Sequence, residues 1–267
     1  KNLFYGLYAR SKSFFSNSEL ASSGLPQGRE LEILTAYRGQ IPDEVFTQTY
    51  EPPSTDGSGN LRQNLRTAKD LLQGAGWTIV DGVLTYAKTG AVMEIEFLFN
   101  NASWERIAAP MVSNLERLGV TAKIRIVDRS QYQNRVQDFD FDLIMAVQAQ
   151  SHSPGNEQRT RWTSLAADEK GSRNFAGIKD PVVDELIEKL IAAHDRAELV
   201  ALTRALDRVL LWGHYVVPNW YSNSFRVLSW DQFGKPATSA PYTGDYFVLP
   251  LTWWYDNAKA ERLMQDD

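Results

Sequence analysis

The stretch MEIEFLFN, residues 93–100, alternates apolar and polar side chains, and this period of two predicts a half-buried β-strand. A helix is predicted to follow from an N-cap at Ser103, because apolar residues then recur every three or four positions. TAKIRIV (121–127) alternates again, Asp128 can cap a second short helix, and FDLIMAV (141–147) is a more continuous apolar strand. This order of strands and helices predicts an α/β fold, in which such crossovers join parallel strands.

Regular elements are predicted on both sides of this unit. Apolar residues at helical spacing over 61–72 predict a helix that glycines end, and WTIVDGVLTY (77–86) predicts a hairpin turning at its Asp-Gly dipeptide. Asp180 before a proline, and Asp195 three residues before a glutamate, predict the N-caps of two more helices, the second ending near Tyr215. The first sixty residues are rich in turn formers and are predicted to be irregular.

The composition is that of a globular chain with a substantial core. It has 267 residues, 43% of them hydrophobic, and a net charge of −5, which argues against a nucleic-acid partner. No apolar run reaches the roughly 20 residues that cross a bilayer. The absence of cysteine excludes thiol catalysis, cysteine-ligated zinc and disulfides. Eight tryptophans fit either core packing or a binding surface.

Residues for catalysis or metal binding do not assemble in this sequence. The three histidines are scattered, and no nucleophile motif or phosphate loop is present. Asp138, Asp140 and Asp142 alternate, but they straddle a predicted helix end and strand start, so solvated turn acids are favoured over a metal site. We therefore expect no catalytic residue, no metal, no cofactor and no enzymatic activity. A hydrolase that uses paired carboxylates and an interaction module without a small ligand are kept as alternatives.

Two segments have the make-up of a recognition surface. QAQSHSPGNEQRTRW (148–162) follows the apolar strand with amides, hydroxyls, arginines and a tryptophan, and ligands of α/β sheets lie beyond the carboxyl ends of strands. NWYSNSFRVLSW (219–230) mixes aromatic and polar residues. Buried asparagines need hydrogen-bond partners, so residues 219–223 are predicted to border a cleft. Three residues after them are predicted to return to core packing: Phe225, Val227 and Trp230.

Several stretches match a known family when they are read in order. They are NLFYGLYARSKSFFSNSELASSGLP, VFTQTYEPPSTDGSGN, NLRTAKDLLQGAGW, LERLGVTAKIRIVDRSQYQNRVQDFDFD, DPVVDELIEKLI, RALDRVLLWGHYVVPNWY and WWYD. With them the chain resembles the C-terminal part of family 5 extracellular solute-binding proteins, the peptide and nickel receptors of ABC importers, and most of all the YejA-like branch. Any one stretch is a weak signal, whereas the ordered set spans essentially the whole chain.

The resemblance implies a periplasmic binding protein-like fold of type II, of the large cluster C kind. The chain is then a fragment of a two-lobe protein, with a mixed-sheet lobe and flanking helices. We expect residues 1–87 to link to and partly complete the first lobe. Residues 88–215 are expected to form the α/β ligand-binding lobe, and residues 216–267 to return to the first lobe.

The same resemblance implies a binding function. The protein is expected to capture extended oligopeptides or peptide-like compounds in the periplasm and to deliver them to the transmembrane subunits of an ABC permease. It is expected to be a monomer, exported by a signal peptide upstream of Lys1. The alternative is the same scaffold with another solute, such as an oligosaccharide, a nickel chelate or a peptide antibiotic.

Site residues carry over in part. In the peptide receptors an aspartate after the FDL-type strand holds the ligand's amino group, with a tryptophan a turn earlier. Counting from Phe141 places Ser151 at the aspartate position and Gln148 at the tryptophan position, so the charged amine anchor is absent and Glu157 could replace it. Arg159 or Arg161 could meet a carboxylate or phosphate-like group. The predicted ligand contacts are Gln148, Gln150, Ser151, His152, Asn156, Glu157, Arg159, Trp162, Trp220 and Tyr221.

Overall fold

The computed structural model describes residues 4–55, 57–224, 227–237 and 252–265. Its helices are α1 (Gly28–Thr35), α2 (Glu44–Thr47), α3 (Arg62–Gly74), α4 (Glu105–Glu116), α5 (Arg129–Gln137), α6 (Glu157–Trp162), α7 (Pro181–Ile191), α8 (Arg196–Trp212) and α9 (Asn257–Gln265). Its strands are β1 (Ala9–Arg10), β2 (Trp77–Val80), β3 (Val83–Tyr86), β4 (Glu94–Phe99), β5 (Thr121–Ile126), β6 (Leu143–Ile144), β7 (Trp220–Tyr221), β8 (Phe233–Gly234) and β9 (Trp254–Tyr255). Within these ranges no helix combines the length and apolar character needed to cross a membrane.

Strands β4, β5 and β6 form a parallel sheet in the order β5-β4-β6. The strands predicted at 93–100 and 121–127 are therefore confirmed. Phe97 and Phe99 of β4 are buried together with Ala108 of α4, and half-buried apolar residues of α4, β5 and β6 surround them. We call Phe97, Phe99 and Ala108 with these neighbours the sheet core.

The strand predicted over 141–147 is wrong in length. Only Leu143 and Ile144 pair, opposite Phe97 and Leu98 of β4. Strand β4 ends at Phe99, one residue after Leu98, so the chain beyond Ile144 has no neighbouring strand with which to pair. The apolar run therefore continues as an irregular segment at the carboxyl edge of the sheet.

Local capping rules set most of the helix starts. The side chains of Asp128, Asp180 and Asp195 accept hydrogen bonds from backbone N–H groups in the first turns of α5, α7 and α8, which confirms three predicted caps. The predicted cap at Ser103 is wrong. Asn101 Oδ1 accepts from the backbone N–H of Ser103 at 2.8 Å, and a short 3₁₀ turn precedes α4.

The elements predicted between 61 and 86 are confirmed. Helix α3 ends at Gly74, and β2 pairs with β3 as an antiparallel hairpin. The turn residues Asp81 and Gly82 have φ angles of 50° and 84°. Positive φ at both central positions suits the right-handed twist of the strands, and Asp-Gly adopts it at low cost.

A second core is built by helices. Helix α8 packs against both α1 and α7. The irregular structure predicted for the first sixty residues is thus wrong for Gly28–Thr35 and Glu44–Thr47, because Ile33, Leu34 and Val45 are buried in this core. The division of the chain into lobes at residues 87 and 215 stays a prediction. We call this cluster the helical core: Ile33, Leu34, Tyr37, Ile41, Val45, Trp162, Ile178, Val182, Val183, Leu186, Ile187, Leu190, Ala201, Leu202, Ala205, Leu206, Val209 and Leu210.

Two adjacent charged residues of α8 fasten the N-terminal segment to the helical core. Asp207 Oδ1 accepts from the backbone N–H of Phe14 at 2.8 Å, and Oδ2 accepts from the backbone N–H and the hydroxyl of Ser22 at 2.9 and 2.7 Å. Arg208 Nε donates to Glu30 at 2.8 Å in a buried ion pair. These contacts hold the segment before α1 along one side of a large cleft.

Candidate functional site

A cleft of about 2490 Å³ lies at the carboxyl edge of the parallel sheet. Its walls include the ends of β4 and β6, one side of α4, the fastened N-terminal segment, and residues 214–222 around β7. The cleft is larger than the roughly 300–1,000 Å³ of common small-molecule pockets. Its position agrees with the general rule that ligands of α/β sheets lie beyond the carboxyl ends of strands.

Aromatic and apolar side chains from distant parts of the chain line much of the cleft. Phe14 precedes α1, Phe97 and Phe99 lie on β4, and Trp104 and Met111 come from the 3₁₀ turn and α4. None of these was among the predicted contacts. The alternation of MEIEFLFN places the two β4 phenylalanines on one face, so one signal was available, but sequence alone does not reveal that this face borders a cleft.

Seven of the ten predicted contact residues line the cleft, and three do not. Trp162 lines it only marginally, since it is 2% exposed, donates from Nε1 to Gln158 Oε1 at 2.9 Å and packs edge-on against Phe14. It therefore belongs chiefly to the helical core. The lining residues are Gln148, Gln150, Ser151, His152, Trp162, Trp220 and Tyr221, whereas Asn156, Glu157 and Arg159 lie outside the lining.

The three residues outside the lining bond to neighbours. Arg159 forms an ion pair with Glu188 at 2.6 Å and donates to Asn156 Oδ1 at 2.7 Å. The hydrogen bonds of this pair raise the pKa of Arg159 and lower the pKa of Glu188. Glu157 accepts from the backbone N–H of Gly155 at 3.1 Å with both oxygens. A ligand contact of these side chains stays a prediction that the cleft geometry does not favour.

The side-chain amides of Gln148 and Gln150, at the start of the 148–162 segment, have hydrogen-bonding atoms without partners among the described residues. Gln150 Oε1 accepts from Gln158 Nε2 at 2.9 Å and from an Arg161 guanidinium nitrogen at 2.6 Å. Gln150 Nε2 and Gln148 Oε1 are both buried without a partner among the described residues. Buried polar atoms normally have hydrogen bonds, so these two unsatisfied amide atoms on cleft-lining residues are exceptions.

The aromatic pair of the second recognition segment forms one strand of a small antiparallel ladder. Trp220 is opposite Arg10, and Tyr221 is opposite Ala9. Both aromatic residues are half-buried, and the Trp220 ring lies 4.7 Å from the Phe4 ring between centroids. Pairing with β1 places them at the cleft.

The core packing predicted for the rest of this segment is wrong where it can be assessed. Val227 is 47% exposed and Trp230 is 72% exposed. Phe225 lies outside the described residues.

Few charged groups line the cleft. Among its described lining residues, Asp142 is the one carboxylate and Arg10 the one arginine, with His152 and His214 as further titratable groups. Asp142 Oδ2 accepts from the backbone N–H of Glu96 at 2.8 Å, so this acid fastens the sheet edge.

The other two acids of the alternating triplet are paired with cations. Asp138 bonds to Lys170 at 2.5 Å, and Asp140 bonds to Arg135 at 2.7 Å. Within the described ranges no group of three metal-ligating side chains occurs. The alternating aspartates thus bond to a lysine, an arginine and a backbone N–H at the turn and the sheet edge.

Similar solved structures define the class of this fold. The oligopeptide-binding protein AppA from Bacillus subtilis, in complex with a nonapeptide, matches with a TM-score of 0.55 at 19% identity, over 86% of this chain and 46% of that one. NikZ from Campylobacter jejuni, in complex with Ni(L-His), matches with a TM-score of 0.55 at 15% identity, over 94% and 55%. The chain has a mixed α/β architecture of the type II periplasmic binding protein fold.

Sequence comparison then gives the family. Residues 1–170 match the middle part of the bacterial extracellular solute-binding proteins, family 5, and the chain belongs to this family. The "Probable peptide-binding protein YejA" of Agrobacterium fabrum is 45% identical over 97% of this chain and 42% of the relative. The "Peptidoglycan-binding protein YepA" of the same organism is 37% identical over 95% and 41%. The chain thus spans about two fifths of the length of the curated relatives it matches.

Proposed function

We propose that this chain forms part of the ligand site of a substrate-binding component of an ABC importer. The receptor captures oligopeptides or peptide-like compounds in the periplasm and delivers them to a membrane permease. It acts as a monomer and catalyses no reaction. The observation that carries this proposal is the large cleft at the carboxyl edge of β4 and β6, lined by aromatic side chains and by amides with unsatisfied hydrogen-bonding atoms.

The chemistry of the lining supports a peptide ligand. A peptide backbone presents alternating N–H and C=O groups, which the amide of Gln150 and the amide of Gln148 can bond without a formal charge. Flat aromatic side chains such as Trp220 give contact area to many kinds of side chain. The name of the 45% identical relative, a probable peptide-binding protein, agrees with this choice.

Calorimetric titration of the full-length protein tests the proposal, since the relatives are more than twice as long as this chain. The ligands are short peptides, oligosaccharides and nickel–histidine, each at the same concentration. We expect saturable heat with peptides only. Binding of oligosaccharide or nickel–histidine without peptide would select the alternative solute, and release of amino acids from any peptide would contradict a pure binding function.

A tryptophan pair gives the matched control. Trp220→Ala removes an aromatic side chain of the cleft, and we expect peptide affinity to fall by about thirtyfold, the roughly 2 kcal/mol of an interface hot spot. Trp230→Ala removes an exposed tryptophan that does not line the cleft, and affinity is expected to stay unchanged. Equal effects of the two substitutions would place the ligand elsewhere.

A further inference from the structure

Arg161 is a buried cation whose charge is not matched by an ion pair. The residue is 7% exposed, and within the described ranges no carboxylate lies at ion-pair distance from its guanidinium. Its Nε is also buried without a hydrogen-bond partner among the described residues. Burial, followed by repulsion from Arg173, lowers the pKa of Arg161. Buried charges are normally paired, so this environment favours an anion nearby.

The nearest acid on the same helix does not supply that anion directly. Glu157 attracts Arg161 electrostatically, but its carboxylate bonds to the backbone N–H of Gly155 and to Gln158 Nε2. Both oxygens are therefore used to shape the turn before α6. The positive charge of Arg161 is left to act on the group that it does touch, which is the side chain of Gln150.

Arg161 fixes which way the Gln150 amide points. A guanidinium is a donor without acceptor atoms, so the Gln150 atom bonded to it at 2.6 Å must be the oxygen. Gln158 Nε2 donates to the same oxygen at 2.9 Å. The NH₂ group of Gln150 then faces the other way, buried and unpartnered, on a residue that lines the cleft. Hydrogen bonds in a chain polarise one another, so the cation behind the amide strengthens this donor.

We infer that Gln150, oriented and polarised by Arg161, is the docking point for a carboxylate of the bound peptide. This inference rests on the proposed function and adds a chemical preference to it. Arg161 does not line the cleft and acts as a positioning residue, whereas Gln150 donates to the ligand oxygen. The carboxylate comes either from the carboxyl end of the peptide or from an aspartate or glutamate side chain.

Four random-sequence pentapeptide libraries distinguish these sources. They have free or amidated carboxyl ends, each with or without aspartate and glutamate, and they compete for the full-length protein, with retained peptides measured by mass spectrometry. The amidated, acid-free library should be retained about tenfold less than the best library, because a neutral carbonyl accepts a weaker hydrogen bond from this donor than a carboxylate does. Equal retention of all four would overturn this inference and leave peptide binding intact. Retention of none would overturn the proposed function itself.

Charge variants test the assigned residues. Gln150→Glu keeps the shape, can pair with Arg161 and repels a carboxylate, so the preference for acids should disappear. Gln63→Glu makes the same charge change on exposed α3 and should leave the preference unchanged. Arg161→Gln should also remove the preference, and Arg161→Lys should restore part of it, which a purely structural role would not do. An unchanged preference in Gln150→Glu, with native thermal unfolding, would overturn the assignment.

Discussion

The helical core and the sheet core differ in how completely they are buried. Leu34, Leu186 and Leu206 of the helical core are each 0% exposed, and the cluster around them draws on α1, α7 and α8 with further residues from α2 and α6. In the sheet core only Phe97, Phe99 and Ala108 are buried, and the residues around them are half-buried. The cleft causes this difference, because it takes the place of packing partners along the carboxyl edge of the sheet.

The contrast indicates how stability and binding are divided within the molecule. Proteins unfold locally where apolar contacts are few, and ligand sites tend to lie in such regions. The sheet core contains Phe97 and Phe99, which line the cleft. On α8, Asp207 and Arg208 hold the segment before α1, which forms another wall of the cleft. We therefore expect substitutions in the helical core to unfold the protein and substitutions in the sheet core to act more mildly.

A matched pair of leucine substitutions gives the largest expected effect. Leu206→Ala removes a fully buried side chain from α8, and we expect the free energy of unfolding to fall by about 2–5 kcal/mol. Leu143→Ala removes a half-buried side chain from β6, for which about 1 kcal/mol is expected. Urea unfolding of the protein without ligand measures both. Equal losses would mean that the sheet core is as well packed as the helical core.

Local rules made much of this fold predictable from the sequence. The caps at Asp128, Asp180 and Asp195 depend on contacts within three residues, and the Asp-Gly hairpin depends on two φ angles. The length of the 141–147 strand was not predictable in this way. It depends on where a partner strand more than forty residues earlier ends, and that is a tertiary property.

The site was predictable in outline only. The rule for carboxyl edges of strands follows from chain order, and Gln148 and Gln150, which it singled out, line the cleft. The same segment then turns into α6, which carries Glu157 and Arg159 away from the lining. The helix over Gly28–Thr35 was missed because its short apolar pattern lies between turn-forming residues.

The second-largest expected effect is a pH dependence of the free energy of unfolding, and it comes from Asp207 on α8. Complete burial raises the pKa of this carboxyl from its ordinary value of 3.8 to about 6, although hydrogen bonds from Ser22 and Phe14 oppose the shift. The folded state then binds the proton more tightly than the unfolded state. This group's contribution to stability is therefore greatest below pH 4, falls by about 3 kcal/mol as the pH rises to about 6, and is constant above that.

Comparison with Asp207→Asn isolates this contribution. The variant keeps the shape of the side chain and cannot titrate, so we expect the difference in unfolding free energy between wild type and variant to change between pH 4 and pH 7. Wild type should lose stability relative to the variant over that interval. If the stability of wild type and variant depends on pH in the same way, the pKa of Asp207 is not raised in the folded state. The contact of Asp207 with Phe14 and Ser22 would then not be buried.

Helix caps give the smallest effect and separate local from tertiary causes. Asp195 Oδ1 accepts from the backbone N–H of Glu198 at 2.8 Å in the helical region, and Asp128 Oδ1 accepts from Ser130 and Gln131 at 2.9 Å beside the sheet. Each substitution to alanine should cost about 1 kcal/mol in urea unfolding, because a cap acts on its own first turn. If the two costs are equal while the leucine costs differ, the contrast between the regions lies in core packing. A much larger cost for Asp195→Ala would instead mean that the helical region is more cooperative throughout, including its exposed helix ends.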